Sequence, residues 1–174
     1  MKLTNNLTFE SMMSSYDSNY KENYVGSRLD ALRRIYEQGF DIREYIESNF
    51  DTMQLEQIRI GLENHVDVST YANVLYDYDQ MDLIRRGLES GFDVSRYSSL
   101  EFNSSQMSQI LDGLKSNVDV SIYANPNFTW LQMRQIRIGL EKGLDASRYA
   151  RTDINYRRME EIRYELEEQN ETSH

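Results

Sequence analysis

At 174 residues the chain has room for one domain or one repeat array, and a hydrophobic content of 39% is enough for a core. No run of about 18 apolar residues is present, which excludes a membrane-spanning helix, and Met1 to Ser14 hold no apolar stretch of signal-peptide length. The formal charge of −10 disfavours a general nucleic-acid binder, and the absence of cysteine leaves no disulfide framework and no thiolate zinc site, as expected of a cytoplasmic chain.

Residues 1–23 are rich in Ser and Asn and stand outside the pattern that follows. They read as an N-terminal cap or a disordered segment. From Tyr24 to Asn170 a 26-residue register runs without insertion or deletion. Ile58, Ile84, Ile110, Ile136 and Ile162 form one column; Asp41, Asp67, Asp93, Asp119 and Asp145 a second; Tyr45, Tyr71, Tyr97, Tyr123 and Tyr149 a third.

Each column has a physical task. Asp51, Asp77, Asn103, Thr129 and Asn155 are good N-cap residues. Gln54, Gln80, Gln106 and Gln132 stand three residues on, where a capping box needs its second member. Phe50 with Leu55, Tyr76 with Met81, Phe102 with Met107 and Phe128 with Met133 match a hydrophobic staple. Long helices therefore begin near Thr52, Tyr78, Ser104, Trp130 and Tyr156. Met, then Ile three later, then Leu seven later, as in Met81, Ile84 and Leu88, marks the buried face.

Gly61, Gly87, Gly113 and Gly139 lie on that face. Mid-helix glycine costs up to about 1 kcal/mol relative to alanine, so its recurrence predicts close helix–helix approach. Gly39, His65, Gly91, Asn117 and Gly143 suit a left-handed C′ residue. The Asp column then caps a short second helix, of the α or 3₁₀ type. The predicted architecture is an all-α, right-handed-type α-solenoid of alternating long and short helices. It has five repeats and a final capping helix over 24–170, and a polar tail at 171–174.

Candidate chemistry is sparse. Asp77, Asp79 and Asp82 could hold a hard cation, but capping and the positive first turn of a helix explain them. A recurring Asp column is what capping requires, whereas a catalytic carboxylate is needed once. His65 and His174 offer no metal pair and no general base. No phosphate-binding glycine motif is present. No catalytic residue, cofactor or metal is assigned.

Arg33, Arg59, Arg85, Arg137 and Arg163 form a stripe with Glu37, Glu63, Glu89, Glu141 and Glu167 four residues later. This reads as a solvated ion-pair ladder. Leu111 and Lys115 interrupt it, and such a break is a candidate contact. The first helical position is variable, and Tyr78, Trp130 with Leu131, and Tyr156 are further partner-binding candidates.

The unit Gln-Met-x-x-Ile-Arg-x-Gly-Leu-Glu-x-Gly-x-Asp-Val-Ser-x-Tyr-Ala is clearest at Gln132–Ala150 and nearly intact at Gln80–Ser98. It resembles tandem repeats of uncharacterised proteins of Gram-positive gut bacteria, often near mobile elements. The resemblance covers residues 24–170 and implies no activity to carry over. By architecture alone it suggests solenoids such as HEAT-like and leucine-rich-variant arrays.

The expected function is a non-enzymatic scaffold for an unknown protein partner, acting through the variable surface of the long helices. The alternative is an acidic inhibitor that mimics nucleic acid or blocks a nucleic-acid-binding enzyme, of the anti-defence type. Direct nucleic-acid binding is not expected, and the oligomeric state is open.

Overall fold

A computed structural model describes residues 8–20 and 26–172, all helical and loop, with no strand among them. They gather into two compact units, within Met1–Glu89 and Ser90–His174. Among the described residues no helix is long and apolar enough to cross a membrane. The start of the register at Tyr24, and His174, lie outside the described residues.

The first unit contains α1 (Phe9–Tyr16), α2 (Ser27–Glu37), α3 (Arg43–Glu47), α4 (Thr52–Glu63), a 3₁₀ turn at Val68–Thr70 and α5 (Tyr78–Glu89). Helix α2 packs on α4, α4 on α5, and α1 on α3. Thr8 caps α1 by accepting from the Ser11 N–H, and Phe9, Met12 and Met13 are its buried face. Phe9 meets the Tyr36 ring edge-on at 5.6 Å. The Arg33 guanidinium lies 4.3 Å over Phe9, and Arg33 pairs with Glu10 at 3.0 Å.

The second unit contains 3₁₀ turns at Val94–Arg96, Val120–Ile122 and Ala146–Arg148, and helices α6 (Ser104–Lys115), α7 (Trp130–Glu141) and α8 (Tyr156–Glu171). Helix α6 packs on α7 and α7 on α8. The core columns are buried in both units: Leu55, Met81, Met107 and Met133, with Ile58, Ile84, Ile110 and Ile136, are fully enclosed. The leucine column is shallower, since Leu62, Leu88, Leu114 and Leu140 are only half-buried near the ends of their helices.

Capping follows the sequence. Asp51, Asn103 and Thr129 close complete capping boxes with Gln54, Gln106 and Gln132. Asp77 and Gln80 exchange the same two bonds at 2.8 Å. The glutamine has a second task that capping does not predict. Gln54 Nε2 donates to the Tyr76 carbonyl at 2.6 Å, Gln106 to Phe128 at 2.6 Å and Gln132 to Ile154 at 2.7 Å. One amide thus caps its own helix and holds the loop that leads into the next. In α2 the corresponding residue is Arg28, which donates to the carbonyls of Phe50 at 3.0 Å and Ser48 at 2.6 Å.

At the C-termini, Gly39, His65, Gly91, Asn117 and Gly143 all have positive φ, with His65 at 58° and Asn117 at 55°. After α4, the Val66 N–H bonds to the Gly61 carbonyl at 3.0 Å and the His65 N–H to Leu62 at 3.2 Å. These are the two bonds of the Schellman motif. Asp67, Asp93, Asp119 and Asp145 cap the 3₁₀ turns by accepting from Ser69, Ser95, Ser121 and Ser147. The corresponding segment after Asp41 is instead the five-residue α3.

Two expectations change. The glycines admit a tyrosine rather than a helix: a Cβ at Gly61, Gly113 or Gly139 would lie 1.8 Å from the hydroxyl of Tyr71, Tyr123 or Tyr149. Those hydroxyls donate to the carbonyls of Gln57 at 3.0 Å, Gln109 at 3.1 Å and Gln135 at 3.4 Å. Burial raises the pKa of all three tyrosines, that of Tyr149 to about 12. The rule has a boundary at each end. In α2 the position is Ile35, and Tyr45 packs edge-on against Phe50 at 6.2 Å. In α8 it is Glu165, which is exposed and bonded to Arg158.

The i,i+4 pairs of the arginine ladder form at Arg59–Glu63, Arg85–Glu89, Arg137–Glu141 and Arg163–Glu167, but the ladder is not solvated throughout. Arg85 is 8% and Arg163 4% exposed. The Nε of Arg85 donates to Gln57 Oε1 on the neighbouring helix at 2.8 Å, Arg137 to Gln109 at 3.3 Å and Arg163 to Gln135 at 3.0 Å. The glutamate four residues on is gripped from both sides. Glu89 accepts from Arg85 at 2.5 Å and from Asn64 of the preceding helix end at 2.7 Å, and Glu167 from Arg163 and from Lys142. At Arg85, Arg137 and Arg163 the stripe is a clamp between packed helices, whereas Arg59, among the described residues, bonds only Glu56 and Glu63 of its own helix.

Candidate functional site

Large apolar side chains are exposed in the loops, as at Leu75 and Leu100, at Tyr164 of α8, and in the first turns of the long helices, where Met53 and Trp130 stand. In the first unit Tyr78 is half-buried and lines a groove of about 330 Å³ with Ala31, Thr52, Met53 and the charged Asp30, Arg34 and Glu56. That volume is at the lower end of the range for ligand pockets. Met53 is 55% exposed. Its outward position follows from sequence, because it sits between the capping residue and Gln54, which turns inward.

In the second unit Trp130 is 42% exposed, and Leu131 and Tyr156 are half-buried. Trp130 and Tyr156 hold the same position on α7 and α8, which pack on each other. Arg157 lies against Tyr156, its Nε 3.2 Å from the phenol oxygen and its guanidinium 5.9 Å from the ring centroid. Arg134, one turn beyond Trp130, is exposed.

The structure removes Leu111 from the partner-binding candidates. It is 1% exposed and belongs to the core. Leucine replaces arginine here, and 28 residues before it Leu83 stands where the 26-residue register otherwise has Gln57, Gln109 and Gln135. The break in the stripe is therefore a change from polar to apolar lining in both columns. Lys115 is exposed, with Asp112 at 4.0 Å as its nearest carboxylate.

Two of the three residues of the acidic cluster are used structurally, and Asp79 is exposed. Asp77 caps α5, and Asp82 accepts from Arg85 at 2.5 Å and Arg86 at 3.4 Å. Among the described residues no three His, Asp or Glu side chains gather as metal ligands do. Sequence reading missed Arg134 and Arg157, which share the Trp130–Tyr156 surface. For Arg134 the signal was the lack of a carboxylate four residues on, where Ile138 stands; Arg157 has Glu161 there, and only the structure shows that Glu161 pairs with Arg158 at 2.9 Å. No protein family, no curated protein and no solved structure matches the chain.

Proposed function

We propose that the protein is an α-solenoid scaffold without enzymatic activity, which binds a protein partner through the first turns of its long helices. The supporting observation is that these turns carry aromatic and long apolar residues that capping and core packing do not consume: Tyr78, which lines a groove with exposed Met53, and Trp130 and Tyr156 on the packed helices α7 and α8. Exposed aromatic residues grouped on one surface are the usual anchors of protein interfaces. Recurrence of the same capping, Tyr–Gly and Arg–Gln contacts at 26-residue intervals supports the solenoid. A nucleic-acid mimic would need carboxylates free to imitate phosphates; Glu63, Glu89, Glu141 and Glu167 are instead engaged by arginines, which favours the scaffold.

The test is affinity capture from lysate of the source organism with wild type, Trp130→Ala and Tyr78→Ala. A protein retained by wild type and lost by either variant, with the melting temperature unchanged, is the expected result. Retention of nothing, or only of material that nuclease removes, refutes the scaffold.

A further inference from the structure

The second unit is unusual in how it leaves its cations. Residues 90–174 carry ten Lys and Arg. Among the described residues seven of them have a carboxylate within 4.0 Å: Arg96, Lys115, Arg137, Lys142, Arg151, Arg158 and Arg163. In an acidic chain such pairing is the default. Of the other three, Arg148 lies in a 3₁₀ turn, while Arg134 and Arg157 both flank the Trp130–Tyr156 surface. Glu160, in the same register position as Arg134, is half-buried and occupied: Gln135 donates to it at 3.4 Å and Arg163 lies 4.0 Å away.

Trp130, Leu131 and Arg134 thus stand at the start of α7, and Tyr156 with Arg157 at the start of α8, which packs on it; among the described residues neither guanidinium has a carboxylate within 4.0 Å. Arginine in such a setting offers a planar fork that matches a carboxylate. We infer that this surface binds an acidic, amphipathic segment of a partner protein, whose apolar side chains cover Trp130 and Leu131 and whose carboxylates meet Arg134 and Arg157. The inference rests on the protein-binding reading and adds the chemistry of the partner. Single-stranded nucleic acid also stacks on aromatics beside arginine. Two cations on a chain of charge −10 are too few to follow a phosphate backbone, so the carboxylate partner is favoured.

Trp130 is the sole tryptophan, so its emission reports on this surface alone. The full chain is titrated with a short synthetic peptide carrying Leu at helical spacing and Glu elsewhere, with the same peptide carrying Lys for Glu, and with a thymidine oligonucleotide. The Glu peptide is expected to shift the emission saturably. Arg134→Glu should raise its Kd about tenfold or more and make the Lys peptide the better ligand. Arg134 is exposed, and an unchanged melting temperature shows that the variant folds. No response to the Glu peptide, an equal response to the Lys peptide, tighter binding of the oligonucleotide, or an Arg134→Glu variant that behaves as wild type overturns the inference. The scaffold survives any of these if Trp130→Ala still abolishes capture of a protein from lysate, so the two failures are distinguishable.

Discussion

At position 113 a hydrogen atom is all that fits. An alanine Cβ there would lie 1.8 Å from the Tyr123 hydroxyl, which is fixed by its bond to the Gln109 carbonyl. Helix propensity predicts that Gly113→Ala stabilises by about 1 kcal/mol. The packing predicts the opposite sign, a loss of about 1–3 kcal/mol from overpacking. Chemical denaturation decides, and Tyr123→Phe in the same chain should recover much of the loss by removing the obstructing oxygen. The reverse holds at His65, which is exposed and has φ of 58°. Left-handed geometry costs a residue with a Cβ about 1–2 kcal/mol, so His65→Gly should raise the melting temperature.

Between elements, the Gln57–Arg85 bond joins α4 to α5 with both partners buried. Gln57→Leu strands a guanidinium N–H, and Arg85→Leu strands an amide oxygen. Each should cost about 1–3 kcal/mol, the penalty for an unpaired buried polar group. The double variant removes both partners, and the chain already carries leucine in both columns, at Leu83 and Leu111. Its loss in a denaturant titration should fall short of the sum of the singles by about 1 kcal/mol or more. Strictly additive losses would show that the bond does not couple the helices. The arginine column was read from the sequence, but its partners Gln57, Gln109 and Gln135 were not. The partners are 28 residues apart, and a spacing of i, i+4 on one helix offered a simpler explanation for the arginine.

For the whole molecule, the carboxylates of Glu89 and Glu167 carry a pH dependence. Burial alone would raise their pKa, but hydrogen bonds from Asn64 and Arg85, and from Lys142 and Arg163, outweigh it and hold both below the ordinary 4.5. A lowered folded-state value means that the stabilisation is complete above the ordinary value and is lost as pH falls through the lowered one. Urea midpoints from about pH 6 to about pH 3 should drop below the ordinary glutamate range, and Glu89→Gln with Glu167→Gln should flatten that drop. The proposed partner binding belongs to this scale too. The aromatic residues of the first turns were legible as a variable column, but only exposure separated Trp130 from buried Leu111.

Local chemistry by itself determined the helices, their caps and their left-handed ends. A capping box, a staple and a C′ residue each act over a few neighbouring residues, so their spacing along the chain is their structure, as at Asp51 with Gln54 and at His65. Tertiary structure decided what those same side chains do on their other side. Gln54 reaches the Tyr76 carbonyl, Tyr71 fills the space over Gly61, and Arg85 leaves its solvated reading to grip Gln57. These contacts depend on how closely one helix lies on the next, and that distance is set by the summed packing of the core rather than by any residue's own preference.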